Sequence, residues 1–284
     1  MKILISISSF RTSPAIGVNP MGEAYISGRQ SPLQNIIFDL DGVLIDPEPL
    51  KMLSYITTLA SYGFPLGILE REGFVARCEM ECIGKSRQGH IEGQMRIIDE
   101  IMQRLSEGER GWVPERIRAG LTGFLEECHP QREQFATAWE TYAADRLEIY
   151  EGMKRFVLPL TENLPFLDYV VEQGITPFLV TRTEEDTARA HLREKVGRED
   201  VFRYACVPDK KTLKYGPVTE ILQDEGQALE NCAVVEDTAE GVLEARRQGS
   251  YYIIAAPRPS TRSQDFSAAD RMVMPSLGPL IPND

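Results

Sequence analysis

The chain has few of the residues that build thiolate and imidazole metal sites, and it has no apolar run long enough to span a bilayer. Five cysteines and three histidines occur in 284 residues. Cys78, Cys82, Cys128, Cys206 and Cys232 are odd in number and widely scattered, which argues against a disulfide framework. Cys78 and Cys82 stand four apart, with His90 beyond and Cys128-His129 elsewhere. The paired short spacings of a zinc site are missing, so free thiols in a reducing compartment are expected. No uncharged apolar stretch approaches the ~20 residues of a membrane helix. Positive charge is also scarce. Lys and Arg number 31 against 43 Asp and Glu, a formal net charge of −12. Such a surface repels nucleic-acid phosphates and anionic lipid, so neither nucleic acid nor membrane is expected as a partner.

What is present divides the chain. Its length suits two domains of moderate size, and 42% hydrophobic residues suffice for an ordinary core. Met1–Gln30 is rich in Ser, Gly and Pro, and its one apolar run, Ile3–Ile7, is too short for a secretory leader. Lys2, Arg11 and Arg29 face only Glu23, which leaves organelle targeting as an alternative. The expected reading of residues 1–34 is a disordered extension on a cytoplasmic protein.

From Asn35 the pattern changes. Ile36-Ile37-Phe38 reads as a buried strand entering the turn Asp39-Leu40-Asp41-Gly42. Leu50, Leu53, Ile56 and Leu59 then recur at helical spacing, as do Ile91, Met95, Ile98 and Met102, Ile117 to Leu125, and Phe135 to Ala143. Residues 48–155 therefore read as all-helical. Beyond them, strands at Thr176–Val180, Tyr204–Val207, Ala233–Val235 and Tyr252–Ala255 alternate with helices at Pro165–Gln173, Glu184–Lys195 and Ala239–Gln248. That alternation predicts an α/β fold, a Rossmann-like parallel sheet formed by residues 35–47 and 156–284. The strand at Ile36 must join this sheet, which makes 48–155 an inserted helical cap.

In open parallel sheets ligands collect at the carboxyl ends of the strands, and four polar groups stand there. Asp39 and Asp41 lie two apart, so both carboxylates can face one ligand, one as nucleophile and the other as proton donor. Thr181 follows Phe178-Leu179-Val180 and could bond a phosphoryl oxygen, or cap a helix in a box with Glu184. Lys210, Lys211 and Lys214 offer an ammonium that could neutralise phosphate, or form a solvated basic loop. Glu236-Asp237 follows Cys232-Ala233-Val234-Val235 as hard oxygen donors suited to magnesium, or as an N-cap. Each group has an ordinary structural role; their succession at strand ends is harder to explain that way.

Taken in order, these strings resemble the haloacid dehalogenase-like (HAD) hydrolase superfamily over about residues 35–275. Ile36-Ile37-Phe38-Asp39-Leu40-Asp41-Gly42-Val43-Leu44 looks like its first motif and Phe178-Leu179-Val180-Thr181 is similar to the second. Lys214-Tyr215-Gly216-Pro217 is similar to the third, with Lys210 or Lys211 as alternatives. Val234-Val235-Glu236-Asp237-Thr238-Ala239-Glu240-Gly241 matches the fourth. The resemblance implies a Rossmann-like core with a helical cap, and a site that binds Mg2+. Asp39 would be the nucleophile, forming an aspartyl-phosphate, and Asp41 the acid and base. The metal would be held by Asp39, the backbone carbonyl of Asp41 and Asp237, with Glu236 steering its waters. Thr181 and Lys214 would bind the transferred phosphoryl group. The acid at Asp41 favours phosphoester chemistry, because the dehalogenases of this superfamily lack it.

Within the superfamily the chain looks closest to the helical-cap subgroup of phosphoglycolate phosphatase, sugar-phosphate phosphatases and beta-phosphoglucomutase. Cys82-Ile83-Gly84-Lys85-Ser86-Arg87 is similar to the mutase cap loop, in which Arg87, with Lys85 nearby, would grip a second phosphate; a helix start with two solvated cations is the alternative. Lys51 stands where the mutases carry histidine, and Thr181-Arg182-Thr183 departs from their small-residue run, with Arg182 facing substrate or solvent. The expected function is a Mg-dependent phosphatase of a small phosphorylated metabolite. A sugar-phosphate mutase, or a non-catalytic regulatory protein on the same fold, is the alternative.

Overall fold

The computed structural model describes residues 16–18, 24–26, 32–61, 73–81, 89, 93–94, 96–98, 100, 135–209, 211–249 and 251–281. Short strands β1 (Ile16–Val18) and β2 (Ala24–Ile26) pair antiparallel, in a span whose Ser, Gly and Pro content had suggested disorder. The paired residues include the strand-favouring Ile16, Val18, Tyr25 and Ile26. Leu33 is buried, and Gln34 donates its N–H to Asn231 O, so the core begins just before the first motif.

Strand β3 (Asn35–Phe38) is followed by the two-residue β4 (Ile45–Asp46) and helix α1 (Glu48–Ser61). Helices α2 (Phe74–Glu81) and α3 (Phe135–Met153) follow, and no strand occurs among the described residues of 48–155. The chain returns through β5 (Leu158–Pro159), which pairs antiparallel with β4. This two-stranded tie joins the crossings into and out of the helical block. Then come α4 (Leu164–Glu172), β6 (Thr176–Thr181), α5 (Glu185–His191) and β7 (Arg203–Cys206). The chain ends with α6 (Gly216–Asp224), β8 (Cys232–Glu236), α7 (Ala239–Gln248), β9 (Tyr252–Ala255) and β10 (Arg271–Met272).

Six strands form one parallel sheet in the order β10-β9-β8-β3-β6-β7. The strand at Ile36 lies at its centre, flanked by β6 and β8, and is wholly buried. Alternate side chains of these strands feed two apolar layers. Ile36, Phe38, Leu179 and Val235 pack on one face with Phe166 and Leu167 of α4. Ile37, Phe178, Val180 and Val234 pack on the other with Val218 and Leu222 of α6 and Val242 of α7. Burial on both faces explains the continuous apolar runs in the sequence. Strand order reverses beside β3, which places a crevice at the carboxyl ends of β3, β6 and β8.

Helix α5 is shorter than the sequence suggests. After His191 the chain widens into one π-helical turn, Leu192–Val196, and stops at the left-handed Gly197.

Candidate active site

The turn after β3 is built around Gly42. Its φ is +76°, and a Cβ there would meet Asp237 Oδ2 at 2.0 Å. Glycine is required both for the backbone angle and for the seat it gives Asp237. Gly42 N–H donates to Ile45 O, and the side-chain amide of the buried Asn163 donates to Val43 O at 2.7 Å. Asn163 in turn accepts Leu277 N–H, so a residue far away in sequence pins the loop. No local motif marks Asn163 for this role.

Asp39 stands at the tip of β3, 6% exposed. Its Oδ1 accepts Leu40 N–H at 2.7 Å and its Oδ2 pairs with Lys214 Nζ at 2.7 Å, which holds the carboxylate in one orientation. Lys214 also reaches Glu236 Oε2 at 2.7 Å. The structure thereby singles out Lys214 from the basic loop; Lys211 is exposed, and Lys210 lies outside the described residues. Glu236, fully buried, accepts three further hydrogen bonds. Tyr215 Oη donates to Oε2 at 2.5 Å, and Thr238 donates to Oε1 through its hydroxyl at 3.0 Å and its N–H at 3.4 Å. A Cβ on Gly241 would lie 2.2 Å from Glu236 Cδ, so α7 starts as close to this carboxylate as a helix can. Tyr215 was not foreseen, because only the tertiary approach of α6 to β8 gives its hydroxyl a partner.

Among the described residues, Asp39, Glu236 and Asp237 form a buried acidic trio, with one oxygen of each within 4.8 Å of the others. Burial, the Glu236 charge and Asp41 push the Asp39 carboxyl well above its ordinary value, against the pull of Lys214. Burial and the charges of Glu236 and Asp39 do the same to Asp237. Burial works against the charged forms of Lys214 and Glu236 too. There the mutual pairing wins: Lys214 is raised by Asp39 and Glu236, and Glu236 is lowered chiefly by Lys214. One ammonium thus faces three carboxylates, and two of them favour protonation while no cation is near. Hard oxygen donors with an excess of negative charge suit magnesium. The carboxylate of Glu236 is engaged by Lys214, Tyr215 and Thr238 and that of Asp39 by Leu40 N–H and Lys214, which leaves Asp237 the least engaged of the three among the described residues.

The Asp41 side chain is outside this trio, though near enough for its charge to act on Asp39. Its Oδ2 lies 3.4 Å from Lys51 Nζ on α1, and Lys51 is anchored more closely by Glu48 at 2.6 Å. Thr181 is 1% exposed and its hydroxyl accepts Thr183 N–H at 3.1 Å, so its proton is left for another acceptor. The capping box does not form: the residue preceding α5 is Glu184, with no side-chain cap. Nor does Asp237 cap α7; Thr238 does, accepting Gly241 N–H at 3.2 Å.

Arg182 is half-buried and held by the protein itself. Its guanidinium donates to Val207 O, Asp209 O and Thr212 O and pairs with Glu244. Glu244 also accepts Lys214 N–H. Arg182 and Glu244 together clamp the loop that presents Lys214. Lys85 and Arg87 lie outside the described residues.

A sequence profile described as haloacid dehalogenase-like hydrolase matches residues 33–249. No curated protein matches the chain. The fold is similar to that of CbbY from Rhodobacter sphaeroides in complex with phosphate, at 17% identity, 87% of this chain and 99% of that chain, TM-score 0.51. A mutant of CbbY in complex with xylulose-(1,5)bisphosphate gives the same values. A HAD family hydrolase from Deinococcus radiodurans R1 with bound phosphate and sodium aligns at 17% identity over 86% of this chain and 92% of that chain, TM-score 0.48.

Proposed function

The chain belongs to the haloacid dehalogenase-like hydrolase family, and from that premise we propose that it is a magnesium-dependent phosphatase acting on a small phosphorylated metabolite, of sugar-phosphate or phosphoglycolate type, through an aspartyl-phosphate. The observation that carries this reading is Asp39, oriented by Leu40 N–H and Lys214 beside the buried acids Glu236 and Asp237.

Asp39 attacks phosphorus, and the ester oxygen leaves with a proton from Asp41. Asp41, now ionised, takes a proton from water as that water attacks the aspartyl-phosphate, releasing phosphate and restoring Asp39. Lys214 and the Thr181 hydroxyl bind the phosphoryl oxygens. Asp39 and Asp237 would hold the magnesium with the backbone carbonyl of Asp41, and Glu236 would orient its waters. Bound magnesium supplies the positive charge that favours ionised Asp39 and offsets charge on the transferring group. Lys51, engaged with Asp41 and Glu48 where the mutases carry histidine, favours the phosphatase over the mutase.

The test is phosphate release from a panel of phosphorylated metabolites with magnesium or with EDTA, alongside Asp39→Asn. Magnesium-dependent release that the variant abolishes is expected. Isomerisation of a hexose 1-phosphate without release would replace the reading with a mutase, and inactivity in both assays would favour a binding protein on this fold.

A further inference from the structure

Arg146, on α3, is a buried cation that the phosphatase mechanism leaves unused. It is 8% exposed. Nε donates to Ser54 Oγ at 3.0 Å, and the guanidinium carbon lies 4.3 Å from the centre of the Tyr55 ring and 5.0 Å from that of Tyr150. Ser54 spends its own proton on Lys51 O, so it can only accept from Arg146. Among the described residues no carboxylate pairs with Arg146, and its two Nη groups have no partner. Among the described residues, the fully shielded side-chain atoms without a partner are Gln94 Nε2, Tyr169 Oη and Arg258 Nε. Arg146 is absent from that group, so its free N–H edge opens on accessible space.

A charge this buried is costly without a counter-ion. Two aromatic faces return only about 0.5–2 kcal/mol each. The guanidinium fork is thus held stacked between two rings with N–H donors to spare, the chemistry that recognises a carboxylate or phosphate.

Its position relates it to the site. Ser54 is one turn beyond Lys51 on α1, and Lys51 touches Asp41. Arg146 is one turn before Tyr150 on α3, and Tyr150 feels the charges of Lys51, Asp41, Glu48 and Arg146 together. The fork thus stands roughly one helical turn, ~5 Å, further into the helical block than the Lys51–Asp41 contact.

We propose that Arg146 is a specificity-determining residue whose free N–H edge receives a second anionic group, phosphate or carboxylate, of a substrate whose reacting phosphoryl group lies at Asp39. The substrate class is then a phosphate monoester with two anionic ends. This rests on the phosphatase reading above.

Steady-state kinetics of wild type, Arg146→Met and Arg146→Lys with magnesium test it on fructose 1,6-bisphosphate, 2-phosphoglycolate and fructose 6-phosphate. In wild type, kcat/KM is expected to favour a two-anion substrate over fructose 6-phosphate. Arg146→Met should cut that preference on the order of 10- to 100-fold, the worth of a charged hydrogen bond, mainly through KM. Arg146→Lys keeps charge without the fork and should fall between. A loss confined to the bisphosphate identifies phosphate as the second group, and one confined to phosphoglycolate identifies carboxylate. An equal loss on fructose 6-phosphate, or no change of preference, overturns the proposal and leaves Arg146 a structural cation. If Arg146→Met does not fold by circular dichroism, Arg146→Lys alone decides. If wild type hydrolyses nothing, the phosphatase reading falls. Calorimetric titration of Asp39→Asn with fructose 1,6-bisphosphate and fructose 6-phosphate, with and without Arg146→Met, then decides on Arg146. Tighter bisphosphate binding that Arg146→Met removes supports it, and equal binding overturns it.

Discussion

Replacing Lys214 with methionine removes the only cation in direct contact with Asp39 and Glu236 among the described residues. Each contact is 2.7 Å long. At an effective dielectric near 20 that distance corresponds to ~6 kcal/mol of attraction per pair before desolvation is counted. Burying the ammonium and the carboxylates offsets most of it. Breaking a buried pair nevertheless costs about 3–5 kcal/mol, because the remaining charges stay behind uncompensated. At about 2–4 °C per kcal/mol for a domain of this size, Lys214→Met should lower the melting temperature by roughly 6–20 °C in EDTA. Thermal unfolding followed by circular dichroism measures it. Lys211→Met is the control, since Lys211 is exposed and such a change should stay within about 0.5 kcal/mol. Magnesium should stabilise Lys214→Met more than wild type, because the cation then meets the acidic trio without competition. The reasoning is refuted if Lys214→Met melts within about 2 °C of wild type in EDTA, under 1 kcal/mol on the same scale, or if Lys211→Met falls as far.

Tyr215→Phe deletes the hydroxyl that donates to Glu236, a loss of about 1–2 kcal/mol of stability by urea unfolding and a higher magnesium concentration for half-maximal activity. Gly241→Ala forces a Cβ to within 2.2 Å of Glu236 Cδ, so Glu236 or the start of α7 must move; about 1–3 kcal/mol of destabilisation is expected by the same assay. Asp237 provides the pH test. Its carboxyl is raised in the folded chain, so without a cation folding favours its protonated form, and stability is lost as pH rises from the ordinary 3.8 through the raised value. Asp237→Asn in EDTA should therefore be more stable than wild type at pH 7.5, with the gain shrinking toward pH 4, and magnesium should reverse the order.

The placement of the candidate site was legible where it is written locally. Asp39, Thr181 and the Glu236-Asp237 pair each follow an apolar strand, so a short string fixes both the strand and the side chain at its tip. The parallel sheet followed from the same runs, because strands buried on both faces carry no polar alternation. Contacts made between distant segments were not legible. Tyr215 reads as an ordinary core aromatic until α6 meets β8. Arg182 beside Thr181 reads equally as facing substrate or solvent, and nothing local announces the carbonyls up to thirty residues on that its guanidinium meets. Asn163 reaches back to Val43 across 120 residues, and Arg146 becomes conspicuous only once α3 lies against α1. Local capping rules also misplaced two details, since Thr183 N–H takes the Thr181 hydroxyl and Thr238, not Asp237, caps α7.

The most direct test of Asp39 as nucleophile is chemical trapping. Borohydride, added during turnover of a preferred phosphate ester with magnesium, reduces an acyl phosphate on aspartate to homoserine, which peptide mass spectrometry locates. Homoserine at residue 39, present with substrate and magnesium and absent in EDTA, is expected. Active turnover that leaves residue 39 as aspartate, or reduction at Asp41 instead, would show that phosphoryl transfer does not pass through Asp39.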